Sequence, residues 1–74
     1  MGNPLYWDST YEIVLNLMHD YPEVDPTTVG TRQLLQMVLA LPNFADEAVL
    51  AHEDLLAEIL RVWYEETVFY DQSK

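Results

Sequence analysis

Prolines at positions 22, 26 and 42 divide this chain, and they constrain its fold more than any other feature. Proline has no N–H to give a helix, and it pushes the residue before it out of helical geometry. A helix arriving at "DYPEVDP" must therefore stop near Tyr21, and Pro42 must close whatever helix reaches it. Before the first stop, "DSTYEIVLNLMHDY" carries Ile13, Val14, Leu17, Met18 and Tyr21 at helical spacing. Asp8 or Ser9 can cap its start, with Glu12 placed three residues after Ser9 as a capping box. Glu12, Asn16, Asp20 and Glu23 recur on the opposite side and make a wet, acidic face.

The residues that stop one helix also begin the next. Asp25 is placed to cap and Pro26 to occupy the first helical position, where a missing N–H costs nothing; Gly30 ends this short element after about one turn. Thr31 can cap "RQLLQMVLALP", in which Leu34, Leu35, Val38 and Leu41 form an apolar stripe with Met37 and Leu39 beside it. "NFADEAV" reads as a loop, with Phe44 tucked against the core and Asp46 and Glu47 in water. In "AHEDLLAEILRVWYEE", Leu55, Leu56, Ile59, Leu60 and Trp63 share one face, while Asp54, Glu58, Arg61 and Glu65 line the other as acid and base pairs. This should be the longest helix, with Glu53 and Asp54 at the favourable end of its dipole and Glu65 and Glu66 at the unfavourable end. The tail "TVFYDQSK" can add a helical turn, dock as an extended strap, or fray.

The expected fold is all-α: a small single domain over residues 1–74, with three main helices plus a short helical turn between the first two. That order is compatible with a winged-helix-like, helix-turn-helix arrangement with no real sheet, any wing being vestigial. A chain of 74 residues buries only roughly 60–65% of the surface its unfolded form exposes, so stability should be slender. Without cysteine there is no disulfide, no thiolate metal site and no cysteine nucleophile, and packing alone must hold the fold. The apolar runs "LLQMVLAL" and "ILRVWY" fall far below the roughly 20 residues of a membrane span, and residues 1–20 lack a basic start followed by an apolar stretch. The chain reads as soluble, monomeric and cytoplasmic.

Charge narrows the partners. Thirteen acids against three basic residues give a formal charge of −10, while half of the residues are hydrophobic, which suits a folded domain rather than an acidic tail. Nucleic acid is drawn to lysine and arginine, and only Arg32, Arg61 and Lys74 are on offer, so cations and basic protein surfaces are the favoured partners. His19 and His52 lie too far apart in sequence to share a helix face, and with two glycines there is no phosphate-cradling loop, so neither zinc nor an organic cofactor is expected. Paired carboxylates do acid–base chemistry in dry clefts with separated pKa values. Here they fall on faces the apolar pattern gives to solvent, and no enzyme is expected. Exposed carboxylates can instead collect a hard cation weakly, ferrous iron, magnesium, manganese or calcium. The candidates are Asp20, Glu23 and Asp25 around the prolines, Glu12 one turn earlier, and Asp46 with Glu47.

In order, Trp7, Glu12, Ile13, Leu17, the stretch Tyr21-Pro22 to Asp25-Pro26, Thr28, Val29, Leu41, Phe44, Glu53, Leu56, Ile59, Leu60, Val62 and Trp63 form a pattern over about residues 7–66. This pattern resembles the IscX family, also called YfhJ, of small acidic iron–sulfur cluster assembly proteins. The "YP-x-x-DP-x-TV" spacing relative to both tryptophans is its most specific part, and residues 67–74 have no counterpart in it. The resemblance implies a compact fold similar to a winged helix, which docks through acidic residues onto a basic surface of the cysteine desulfurase that supplies sulfur. It also implies weak, exchangeable binding of ferrous iron at an exposed acidic patch. Family members carry a dense run of aspartates before the last helix, where this chain keeps Asp46 and Glu47, and more acids on the first helix, at positions held here by Leu15 and His19.

The expected function is thus that of an accessory protein of iron–sulfur cluster assembly, with Glu12, Asp20, Glu23 and Asp25 carrying recognition. Asp20, Glu23, Asp25, Asp46 and Glu47 are the candidate ligands for iron. The alternative is an acidic interaction module that regulates a basic-surfaced partner without handling metal.

Overall fold

The computed structural model describes residues 4–72. Its elements, in order, are α1 (Thr10–Asp20), a one-turn 3₁₀ helix (Pro26–Thr28), α2 (Thr31–Leu39), a second 3₁₀ turn (Ala48–Leu50) and α3 (Glu53–Gln72). The all-α expectation holds. Among the described residues no strand forms, and the only trace of sheet is an isolated parallel bridge between Leu5 and Phe44.

The proline stops work as the residues dictate. Tyr21 is the C-cap of α1, its N–H reaching the Leu17 carbonyl at 2.8 Å, and Val24 N–H closes the following turn on the Tyr21 carbonyl at 3.2 Å. Asp25 then caps the first 3₁₀ turn through Thr27 N–H, with Pro26 at its first position. Three local readings need correction. Ser9 is the N-cap of α1, but its side chain makes no cap hydrogen bond, so the capping box with Glu12 does not form. Gly30, not Thr31, caps α2; Val29 ends the turn before it, and Thr31 is the first helical residue. The second helix also closes earlier than Pro42, at Leu39, so that Leu41 enters the core from the connecting segment.

The third helix runs longer than "AHEDLLAEILRVWYEE". It continues through the tail to Gln72, which moves Glu65 and Glu66 away from the unfavourable last turn. At 20 residues it is about 30 Å long, and it packs on α1, α2 and the first 3₁₀ turn, so it is the element on which the others assemble. Ile13, Val14 and Leu17 of α1, Leu34 and Val38 of α2, and Ile59 and Trp63 of α3 are the most deeply buried side chains. The Cα radius of gyration, 11.7 Å, is close to the roughly 11 Å expected of a folded chain this size.

The core has a wall that helical periodicity does not reveal. Leu5 and Trp7, before α1, are both buried at 4% exposure, while Tyr6 between them and Asp8 after them face water. That alternation is strand-like, and the backbone confirms it: Leu5 N–H donates to the Asn43 carbonyl at 2.9 Å, and Ala45 N–H to the Leu5 carbonyl at 2.8 Å. The Trp7 ring then meets Phe44 edge to face, with centroids 4.7 Å apart. Such a pair contributes about 0.5–1.5 kcal/mol beyond the area it buries. Phe44 is tucked in as its loop position suggested.

Candidate functional site

The first helix presents its acids as the apolar stripe requires. With Ile13, Val14 and Leu17 turned inward, Glu12 and Asp20 stand exposed on the far side, and the half-buried Asn16 between them gives its amide to the Glu12 carbonyl at 2.8 Å. Asp20 ends the helix beside His19, whose Nδ1 lies 3.1 Å from Asp20 Oδ1. The His19 side chain is 88% exposed. Beyond the Pro22 stop, Glu23 is exposed and makes no hydrogen bond or ion pair with the described residues.

Asp25 has a structural task. Its Oδ1 accepts from Thr27 N–H at 2.9 Å and from the Thr27 hydroxyl at 2.8 Å. Those two bonds, the backbone one foremost, hold its carboxyl below the usual pKa. The backbone carbonyl of the same residue takes the Thr28 hydroxyl at 2.7 Å. Recognition by Asp25 would therefore act through a carboxylate already spoken for by the turn.

Asp46 departs furthest from its expected place in water. It is half-buried, and its two oxygens divide between two backbone donors: Oδ2 accepts from Trp7 N–H at 3.0 Å, and Oδ1 from Glu47 N–H at 2.9 Å. Trp7 also gives its indole N–H to the Glu47 carbonyl at 2.7 Å. Asp46 is thus a strut that fastens the N-terminal segment to the loop before α3, while the Glu47 side chain remains exposed. A short acid in a loop opposite a buried tryptophan carries no local signal of this role. The contact spans 39 residues of chain.

Two further polar links belong to the frame. Thr31, expected as a cap, instead donates its hydroxyl to Glu53 Oε2 at 2.8 Å and so joins the starts of α2 and α3. His52 stands just before α3, and its Nδ1 accepts from Leu55 N–H at 3.3 Å as the helix cap. On the outer face of α3, Arg61 bonds both Glu58 and Glu65, the latter at 2.9 Å. Glu58 and then Glu65 hold its guanidinium proton more firmly than usual.

Among the described residues, the carboxylates do not converge: no group of three or more histidine or acidic side chains is placed to hold a metal ion. Asp20, Glu23 and Asp25 follow the end of α1, whereas Asp46 and Glu47 lie in the loop before α3. None of the described polar or charged side chains is fully buried, and the exposed acids act from water at the ordinary strength of surface charges. No helix of the described residues is long and apolar enough to cross a membrane.

A small three-helix protein of high negative charge, with most of its acids outward and its tryptophans inward, is the class this geometry defines. The chain belongs to the family described as iron–sulphur cluster assembly, the IscX family, whose model matches residues 5–68. It is also similar to the uncharacterized protein PA3808 of Pseudomonas aeruginosa, being 37% identical over 62 residues that cover 84% of this chain and 94% of that protein. The matched span takes in Leu5, Trp7, Asp46 and the greater part of α3, so it includes the N-terminal wall and the strut that fastens it.

Proposed function

We propose that this chain is a cytoplasmic, non-catalytic accessory protein of iron–sulfur cluster assembly that docks on a basic surface of the cysteine desulfurase. The supporting observation is the outward acidic series Glu12, Asp20 and Glu23, continued by Asp25, in a chain of net charge −10 belonging to this family. Exposed acids of one sign steer encounter with a basic partner and set the salt dependence of the complex more than its dry affinity. Of the four, Glu12 and Glu23 make no side-chain bonds among the described residues, and substituting them separates recognition from folding. The test is a titration of purified desulfurase with the wild-type chain and with E12K/E23K, at low and moderate salt. Binding that weakens with salt, and weakens further in the variant, supports docking; no binding by the wild type at low salt removes it.

Ferrous iron enters this reading as cargo, met weakly and exchangeably by separate carboxylates, Asp20, Glu23 and Asp25 after α1 and Glu47 before α3, which form no common cage among the described residues. Asp46, engaged by two backbone donors, is the poorest of the proposed ligands. Broadening of NMR signals by Fe²⁺ should concentrate at Glu23 and its neighbours; uniform or absent broadening takes iron out of the function. The dispersal of the carboxylates favours the second reading, an acidic module that regulates its partner without metal. The second reading keeps desulfurase binding unchanged when iron is removed by a chelator.

A further inference from the structure

Two apolar side chains stand in water where no helix stripe puts them. Val49 is 80% exposed and Leu50 56%, and they are the second and third residues of the 3₁₀ turn Ala48–Leu50 between α2 and α3. The turn is held. Leu50 N–H donates to the Glu47 carbonyl at 3.1 Å and Ala51 N–H to the Ala48 carbonyl at 3.0 Å. Its base is fixed to the N-terminal segment through the indole of Trp7 and the carboxylate of Asp46. An apolar tip already held in one geometry loses little freedom when it docks.

The charge around the tip identifies its complement. Asp46 and Glu47 precede it and Glu53 and Asp54 follow it, and no lysine or arginine stands between Arg32 and Arg61. An apolar tip flanked along the chain by acids, of which Glu47, Glu53 and Asp54 are exposed, matches an apolar hollow bordered by lysine and arginine on another protein. A second copy is a poor match, because it would bring like charge against like charge in a chain of net charge −10.

We infer that the turn Ala48–Leu50 is a docking anchor, with Val49 and Leu50 seated in an apolar, Lys/Arg-rimmed hollow of the desulfurase proposed above. The inference rests on that reading and adds to the acids of α1 a second contact of different chemistry. The acids should govern the salt dependence of binding, and the anchor the part that salt does not screen.

The experiment compares the wild type, V49S/L50S and E12K/E23K, each as the full chain, binding purified desulfurase at two salt concentrations. V49S/L50S should weaken binding about tenfold or more, equally at both salts, with its thermal midpoint and circular dichroism unchanged. Hydrogen exchange on the wild-type complex should show protection at residues 49–52. Wild-type affinity in V49S/L50S, or no protection at the turn, overturns the anchor and leaves the docking reading standing. Failure of the wild type to bind at all ends both. A wild-type dimer in sedimentation that V49S/L50S dissolves assigns the turn to a second copy and likewise overturns the proposal.

Discussion

The indole N–H of Trp7 donates to the backbone carbonyl of Glu47 at 2.7 Å, across 40 residues of chain. A side chain with one polar atom thereby completes its burial with that atom satisfied, and the loop before α3 acquires a fixed base. Replacing Trp7 by Phe keeps most of the apolar body and deletes the donor. W7F should lower stability by about 1–3 kcal/mol, from the lost bond and the smaller ring. Urea unfolding followed by circular dichroism should show a lower midpoint at unchanged slope.

Asp46 and Glu47 are adjacent acids with opposite duties, and substitution separates them. D46A removes a carboxylate that accepts from two backbone N–H groups and should cost about 1–3 kcal/mol. E47A removes only an exposed side chain and should leave the unfolding midpoint where it was. Equal stability in the two variants would assign Asp46 to solvent and withdraw its role as a strut.

Asp25 supplies a pH signature with a definite sign. Its folded carboxyl releases its proton below the ordinary value of 3.8, because Thr27 donates to the ionised form. The cap therefore contributes at neutral pH, erodes below the ordinary value, and is lost as pH falls through the folded value. Thr27→Ala deletes the hydroxyl and keeps the backbone donor, which is the larger cause. Carboxyl-carbon NMR should show the Asp25 midpoint rising in T27A without reaching 3.8. No movement would mean that the hydroxyl contributes nothing.

Helix starts offer two tests of opposite direction. Gly30 caps α2 in extended geometry at φ −83°, with nothing within 4 Å of where a Cβ would stand. G30S adds a cap acceptor and reduces the freedom of the unfolded chain, so it should stabilise by about 0.5–1 kcal/mol. A calorimetric midpoint should rise by about 3–6 °C. H52A removes the acceptor of Leu55 N–H at the start of α3 and should destabilise by a similar amount, about 0.5–1 kcal/mol.

The stop of α1 and the start of the following turn are legible in residues 20–28 because they act within a turn of themselves. Proline at 22 stops α1, and Asp25 bonds a donor two residues on. Leu5 and Trp7 form too short an alternation to register beside strong helical periodicity, and their partners, from Asn43 to Glu47, lie far along the chain. Thr31 has the chemistry of a cap, but its hydroxyl finds Glu53, 22 residues away. The outward placement of Glu12 and Asp20 follows from the inward stripe of α1, whereas Glu23 lies past the Pro22 stop and is exposed by the turn. Asp46 takes the N–H of its neighbour Glu47 locally, but its bond from Trp7 follows from nothing local.

By itself, the sequence determined what neighbouring backbone and periodic burial control: helical class, the bend at the prolines, the apolar faces, the excess of negative charge and the family. Tertiary structure decided which of the acids stay available. A carboxylate takes the nearest unsatisfied donor, and whether a donor is near depends on how the chain returns on itself. Trp7 comes back to Asp46 and Thr31 to Glu53, so those acids hold the fold together. Glu12 and Glu23, among the described residues, meet no such donor and stay exposed to solvent, where the proposed docking would use them.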